Sequence, residues 1–231
     1  MAFEGVVSEK FDLGLDMATL WKSLEPLIQK YPSVQRSAAF GGWAVQGHSG
    51  SYHDGWSMAF CPFNGPGNLG PSWNPRDASE RAMVPVQNYC KPTDFYNGEL
   101  HAVIQKLESL GLNPRRGRVI KIPPKSQTVW HKDGNKILYQ ARLHIPLVTN
   151  SGCLFETEQG SYHMPADGNG YFVHINQFHR AVNMGEHDRY HLVFHVWDQK
   201  HLTQFHRYSK NLYDFEADHP GEVDIRAQFR T

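Results

Sequence analysis

The chain has no net charge, little cysteine and no long apolar run, and each absence excludes something. Lys plus Arg number 23 and Asp plus Glu 23, a formal charge of zero. Nucleic-acid and anionic-membrane binders carry a clustered basic excess, so neither kind of partner is expected. No stretch of about 18 apolar residues occurs, which argues against a helical membrane span. The opening residues, Met-Ala-Phe-Glu-Gly, lack the charged, apolar and small-residue regions of a signal peptide. A cytoplasmic location is the matching expectation. The three cysteines, Cys61, Cys90 and Cys153, are odd in number and far apart. Free, mostly buried thiols are expected, rather than a disulfide frame or a zinc cage.

What is present suffices for one core. Hydrophobic residues make up 40% and aromatics 13% of 231 residues, the range of an ordinary globular domain. Leu20, Trp21, Leu24, Leu27 and Ile28 recur at helical spacing, with Asp16 placed to cap and Pro26 placed to kink or restart the helix. Residues 41–75 are rich in Gly, Ser, Asn and Pro and read as a long irregular segment, the kind that carries function. Leu100, Val103, Ile104, Leu107 and Leu110 form a second helical stripe, opened by Asn97 and closed by Gly111.

From Arg118 the period changes to two. Arg118–Ile122, Thr128–Asp133, Lys136–Thr149, Gly152–Thr157, Gly170–Asn176 and Arg189–Trp197 read as strands, separated by Gly, Pro and Asn turns. Many short strands with such turns indicate a sandwich or a jelly-roll barrel. One domain is expected: 1–115 a helix-and-loop elaboration, 116–198 the β core, and 199–231 a C-terminal extension.

His131 and Asp133 stand two apart in a strand-like run, so both side chains leave one face. His179 follows two or three strands later. Two imidazoles and a carboxylate on one face of a metal, with other positions open, suit a non-haem Fe(II) centre. Taken alone, His-x-Asp equally fits a solvated His and a turn-forming Asp. Arg142 and His144 alternate with Leu143, Ile145 and Leu147, giving one strand a polar and an apolar face. Arg189 opens the last strand, where its guanidinium offers a fork for a carboxylate. Turned inward, Arg142 would need an open pocket, an anionic partner or an ion pair with a residue such as Glu156 or Asp167. Trp43 and Trp130 would line the substrate side, or serve as ordinary packing. His174, His191 and His195 lie on strands that could bring them to the site, but read more readily as core or surface histidines, and Asn183 reads as support for nearby backbone.

Two segments resemble the aspartyl/asparaginyl β-hydroxylase family of 2-oxoglutarate oxygenases. One is His131-Lys-Asp-Gly followed by Arg142-Leu-His-Ile-Pro-Leu. The other is His179-Arg-Ala-Val-Asn-Met-Gly followed by Arg189-Tyr-His-Leu-Val-Phe-His-Val-Trp. The resemblance spans about residues 118–198. It implies a mainly β, double-stranded β-helix (jelly roll, cupin-like) with flanking N-terminal helices. It implies Fe(II) on His131, Asp133 and His179, with 2-oxoglutarate and O2 as co-substrates. Arg189 maps onto the anchor of the distal carboxylate and His144 onto a contact near the other carboxylate. Arg142 maps onto a position that meets a substrate carboxylate in some members. Other members have a small residue in place of the metal-binding carboxylate. Asp133 sets this chain beside the proline-hydroxylase-like members with an intact His-x-Asp…His, so the expected substrate is an amino-acid side chain, free or in a peptide. A metal-binding β-barrel sensor or interaction module without redox activity, or a Zn-dependent hydrolase on the same three ligands, are the alternatives.

Overall fold

The computed structural model describes residues 7–56, 59–60, 84–85, 88–131, 141–173, 175 and 177–196. In chain order the elements are β1 (Val7–Asp12), α1 (Met17–Lys30), β2 (Val34–Ser37), β3 (Phe40–Ala44), β4 (Gln46–Gly47), a 3-10 turn (Asp54–Trp56), β5 (Ala59–Phe60), β6 (Val84–Pro85), β7 (Lys91–Pro92) and α2 (Gly98–Ser109). Then follow β8 (Arg115–Ile122), β9 (Ser126–Gln127), β10 (Ala141–Val148), β11 (Cys153–Thr157), β12 (Gly160–Tyr162), β13 (Asn169–Val173), β14 (His179–Asn183) and β15 (Arg189–Val196).

The helices end where their capping residues say they should. The Asp16 carboxylate accepts from the amides of Ala18 and Thr19, and the Asn97 side chain from that of Leu100. Each satisfies donors that the first helical turn leaves open. At the far end of α2, Gly111 takes φ +80° and donates to Glu108, while Leu112 donates to Leu107. That pair of bonds is a Schellman closure, for which glycine is the favoured residue. The restart expected at Pro26 is absent: α1 runs through it as one helix.

Two antiparallel sheets carry the rest. The larger has the order β1-β13-β10-β15-β8-β3-β2, the smaller β12-β11-β14-β9. From β8 onward the chain passes back and forth between them: β8, β10, β13 and β15 lie in the large sheet, β9, β11, β12 and β14 in the small one. This is the double-stranded β-helix, with a mainly β composition and two helices on the outside. The first 115 residues do more than decorate it. β1, β2 and β3, expected as helix and loop, extend the large sheet at both ends. β3 approaches β8 so closely that a side chain at Gly42 (φ +155°) would meet the carbonyl of Val119 at 2.0 Å. Of the Thr128–Asp133 strand expectation, the described part forms only a short bridge at Trp130–His131.

Alternation gives the large sheet two chemically different faces. Its outer face, with Trp43, Val119, Leu143, Ile145, Phe172, Leu192 and Phe194, packs with Leu20 and Leu24 of α1 and Leu100, Val103 and Leu107 of α2 in the main core. Each such side chain, fully buried, contributes about 1.5–3 kcal/mol. The inner face meets the small sheet across a second cluster of Phe155, Met164, Tyr171, Val173 and Ile175. The polar residues of β10 and β15 point to this inner side. No described helix is long and apolar enough to cross a membrane. Cys90 is exposed and Cys153 buried, both as free thiols; Cys61 lies outside the described residues.

Candidate metal centre

β14 and the bridge before residue 132 bring two of the three expected ligands together. His131 and His179 are antiparallel neighbours, each donating its amide to the other's carbonyl, at 3.0 and 2.9 Å. Their rings lie 4.3 Å apart between centroids. In each ring Nδ1 is bonded to the carbonyl two residues earlier: Val129 at 2.8 Å for His131, Gln177 at 3.0 Å for His179. A carbonyl only accepts, so in a neutral ring Nδ1 carries the proton and the lone pair is on Nε2. Backbone bonds of this kind fix the tautomer and orientation of metal-binding histidines. The donor set fits a divalent metal that binds neutral imidazole. Asp133, the expected third ligand, lies outside the described residues. Among those residues no group of three His, Cys, Asp or Glu converges.

Phe155 ties this pair to the large sheet. Its ring stacks on His179 at 5.2 Å and meets His144 edge-on at 5.5 Å. His144 is buried, as are Arg118, Arg142, Arg189, His191 and His195, all from the inner faces of β8, β10 and β15. Register explains the grouping. His144 lies opposite Val193, which in turn lies opposite Arg118; Arg142 lies opposite His195. Burial first, then the charges of Arg189, Arg142, His179 and Arg118, push His144 well below the ordinary histidine pKa. The site is therefore a pocket of cationic field with neutral imidazoles, suited to anions. Arg189 is 2% exposed, and burial lowers its pKa to about 10, so it remains charged at neutral pH. It donates from Nη2 to Nδ1 of His191 at 3.0 Å.

Several residues expected at the site lie elsewhere. Trp43 faces outward because its partner in register is Val119; it stacks on Phe95 and donates its indole N–H to the Tyr31 carbonyl at 2.8 Å. It belongs to the main core, not to a substrate pocket. Trp130 precedes His131 and so takes the opposite face, where the Arg180 guanidinium sits 4.9 Å from its ring centroid. It packs behind the paired histidines instead of walling the cavity. Glu156 is engaged by Arg180 at 2.6 Å, and Asp167 by Lys10 and the Tyr171 hydroxyl, both at 2.9 Å. Neither is the ion-pair partner expected for Arg142. Asn183 does support backbone, donating to the carbonyls of Ile122, Pro123 and His187. Arg118 was missed, and His191 was set aside as a core or surface histidine. Arg118 had a readable signal, since alternation puts it on the face of Ile120 and Ile122. His191 had the same signal, two positions after Arg189.

Residues 98–199 match the Aspartyl/Asparaginyl beta-hydroxylase family. No curated protein sequence matches the chain significantly. Among solved structures, the chain is similar to a prolyl-4-hydroxylase from Pseudomonas putida, with TM-score 0.44 and 10% identity over 81% of this chain and 90% of that one. It is also similar to HygX from Streptomyces hygroscopicus, solved with nickel and 2-oxoglutarate, with TM-score 0.43 and 9% identity over 81% of each chain. A third is the collagen prolyl hydroxylase of Paramecium Bursaria Chlorella virus-1 in complex with 2-oxoglutarate, with TM-score 0.35 and 15% identity over 43% of this chain and 74% of that one.

Proposed function

We propose that the chain, whose residues 98–199 match the aspartyl/asparaginyl β-hydroxylase family, is an Fe(II)- and 2-oxoglutarate-dependent oxygenase that hydroxylates a C–H bond of an amino-acid side chain, with the carboxylate of that substrate held by Arg142. The observation that carries this reading is the paired His131 and His179, each ring held at Nδ1 by a backbone carbonyl, facing a buried cationic sheet face.

In this reading His131, Asp133 and His179 hold the iron. With 2-oxoglutarate and O2, the bound metal supplies the oxidation of an unactivated C–H bond, leaving succinate and CO2. The protein's part is binding, orientation and exclusion of water. Val129 and Gln177 keep the two imidazoles aimed through their carbonyls. Arg189, charged and shielded from solvent, takes the distal carboxylate of 2-oxoglutarate; a guanidinium buried there binds it more strongly than one in water. His144, between Phe155 and His191, serves the other end of the keto acid. Arg142, one strand position pair before His144 on the same face, is placed to meet the carboxylate of the prime substrate.

A metal-binding module without a co-substrate has no use for a buried arginine beside the neutral His144 and His191, and the chain has no glutamate beside the two candidate ligands like that of the His-Glu-x-x-His hydrolases. The test is a screen of free amino acids, their amides and short peptides for stimulated succinate release. The expected result is stimulation by compounds with a free carboxylate and loss of the response in the amides. Stimulation by amides and acids alike would move the substrate carboxylate away from Arg142.

A further inference from the structure

His191 is buried, 1% exposed, yet lies at the centre of two polar contacts. Arg189 donates to its Nδ1 at 3.0 Å, and Nδ1 of His144 lies 3.4 Å from the same atom. A guanidinium only donates, so Nδ1 of His191 must be bare and its proton must sit on Nε2. The long contact to His144 is then a hydrogen bond only if His144 donates from Nδ1. One acceptor atom thus collects a bond from the residue proposed for each end of 2-oxoglutarate.

We infer that His191 is a positioning residue that fixes the Arg189 guanidinium and the His144 tautomer for 2-oxoglutarate, an inference that rests on the co-substrate site proposed above. The choice of imidazole over a carboxylate has a chemical consequence. A carboxylate in this place would form an ion pair with Arg189 and compete with the co-substrate. A neutral imidazole accepts one N–H and leaves the full positive charge for the incoming anion. Only Nη2 of Arg189 is used on His191, so the guanidinium keeps this bond while its other N–H groups meet 2-oxoglutarate. His144 in this arrangement presents a lone pair at Nε2, so it meets the acceptor oxygens of the keto acid only through a bridging water that donates to both.

The test has a structural arm and a functional one. In the full chain loaded with zinc as a diamagnetic substitute, long-range 15N–1H NMR is expected to show His191 bare at Nδ1 and protonated at Nε2, with the reverse in His144. Protonation of His191 at Nδ1 would overturn the inference whatever the enzyme does. In the iron-loaded protein, His191→Leu is expected to weaken 2-oxoglutarate binding roughly tenfold, the scale of one hydrogen bond to a charged group. Iron content and the turnover at saturating 2-oxoglutarate should stay within a few-fold of the parent. His191→Gln, which restores an acceptor, is expected to recover most of the affinity. Equal loss in both variants, accompanied by lowered thermal stability, would make His191 a packing residue only. Failure of the unsubstituted protein to bind 2-oxoglutarate would instead refute the proposed function, leaving the NMR result to decide the hydrogen-bond arrangement.

Discussion

His131 and His179 are neighbours twice over: their backbones exchange both amide hydrogen bonds, at 3.0 and 2.9 Å, and their rings stand 4.3 Å apart. Residues 48 apart in sequence are thereby locked into one register. Any slip of β14 by one residue would turn His179 to the outer face, since strand side chains alternate.

The first expectation follows from that pairing. His179→Ala is expected to lose tight Fe(II) binding and with it succinate formation, because one imidazole and one carboxylate cannot replace the lost hydration of a dication. Asp133→Ala is expected to be severely impaired as well. Iron content and succinate release are the measurements. A fully active His179 variant would remove the metal assignment.

Arg189 gives the second. Arg189→Met is expected to raise the 2-oxoglutarate requirement by roughly tenfold to a hundredfold, from a charged hydrogen bond worth about 1.5–3 kcal/mol. Iron content should not change. Lys121 does not offer a substitute anchor, since it pairs with Asp188 at 2.7 Å beside the outward-facing Tyr190. An unchanged dependence on 2-oxoglutarate in the Arg189 variant would contradict the assignment.

Arg142→Met separates substrate from co-substrate. Stimulated turnover is expected to fall far more than the slow, substrate-free consumption of 2-oxoglutarate or the melting temperature. A variant that melts early but uses substrate normally at low temperature would make Arg142 a structural residue.

Trp43 supplies a contrasting case. Its indole fills the core between sheet and helices and donates to Tyr31. Trp43→Ala is expected to cost about 3–5 kcal/mol of stability, as large core truncations do. At a temperature where the variant is folded, the 2-oxoglutarate requirement should be that of the parent. A stable variant with altered substrate choice would put Trp43 back at the pocket.

Stability should also depend on pH in a defined direction. Burial, then Arg189, His144 and His163, hold His191 well below the usual histidine pKa; burial, then Arg142, Arg116 and Arg118, do the same for His195. Both remain neutral in the fold while the unfolded chain takes up protons below about pH 6.5. Stability is therefore complete above that pH and falls as pH drops toward the depressed native values. Each histidine adds a slope on the order of 1.4 kcal/mol per pH unit. Urea melts between pH 7.5 and 5.5 are the check, and His195→Leu should flatten the slope. Stability that holds or rises on acidification would contradict the burial of neutral imidazoles.

How much of this was legible in the sequence depends on range. The caps at Asp16 and Asn97, the stripe of α2 and the alternation of β10 and β15 are local signals, and local chemistry enforces them. The two candidate histidine ligands could be picked out because residue type and order narrow the chemistry. Whether a short strand joins a sheet is decided by distant partners, so β1, β2 and β3 read as loop until β13 and β8 were there to pair with them. Trp43 and Trp130 were misplaced for a related reason. An aromatic beside a site residue in sequence points away from it when the backbone is extended, and only register shows which side is inside. His191 is the converse, passed over as a core histidine although it shares the face of Arg189.

The most direct test of the account is optical. Full-length protein, freed of metal, is mixed under anaerobic conditions with Fe(II) and then with 2-oxoglutarate. The account expects a visible charge-transfer absorption that appears only with both, is lost in His179→Ala, and needs far more 2-oxoglutarate in Arg189→Met. No such absorption in the unsubstituted protein, with iron shown to be bound, would contradict it.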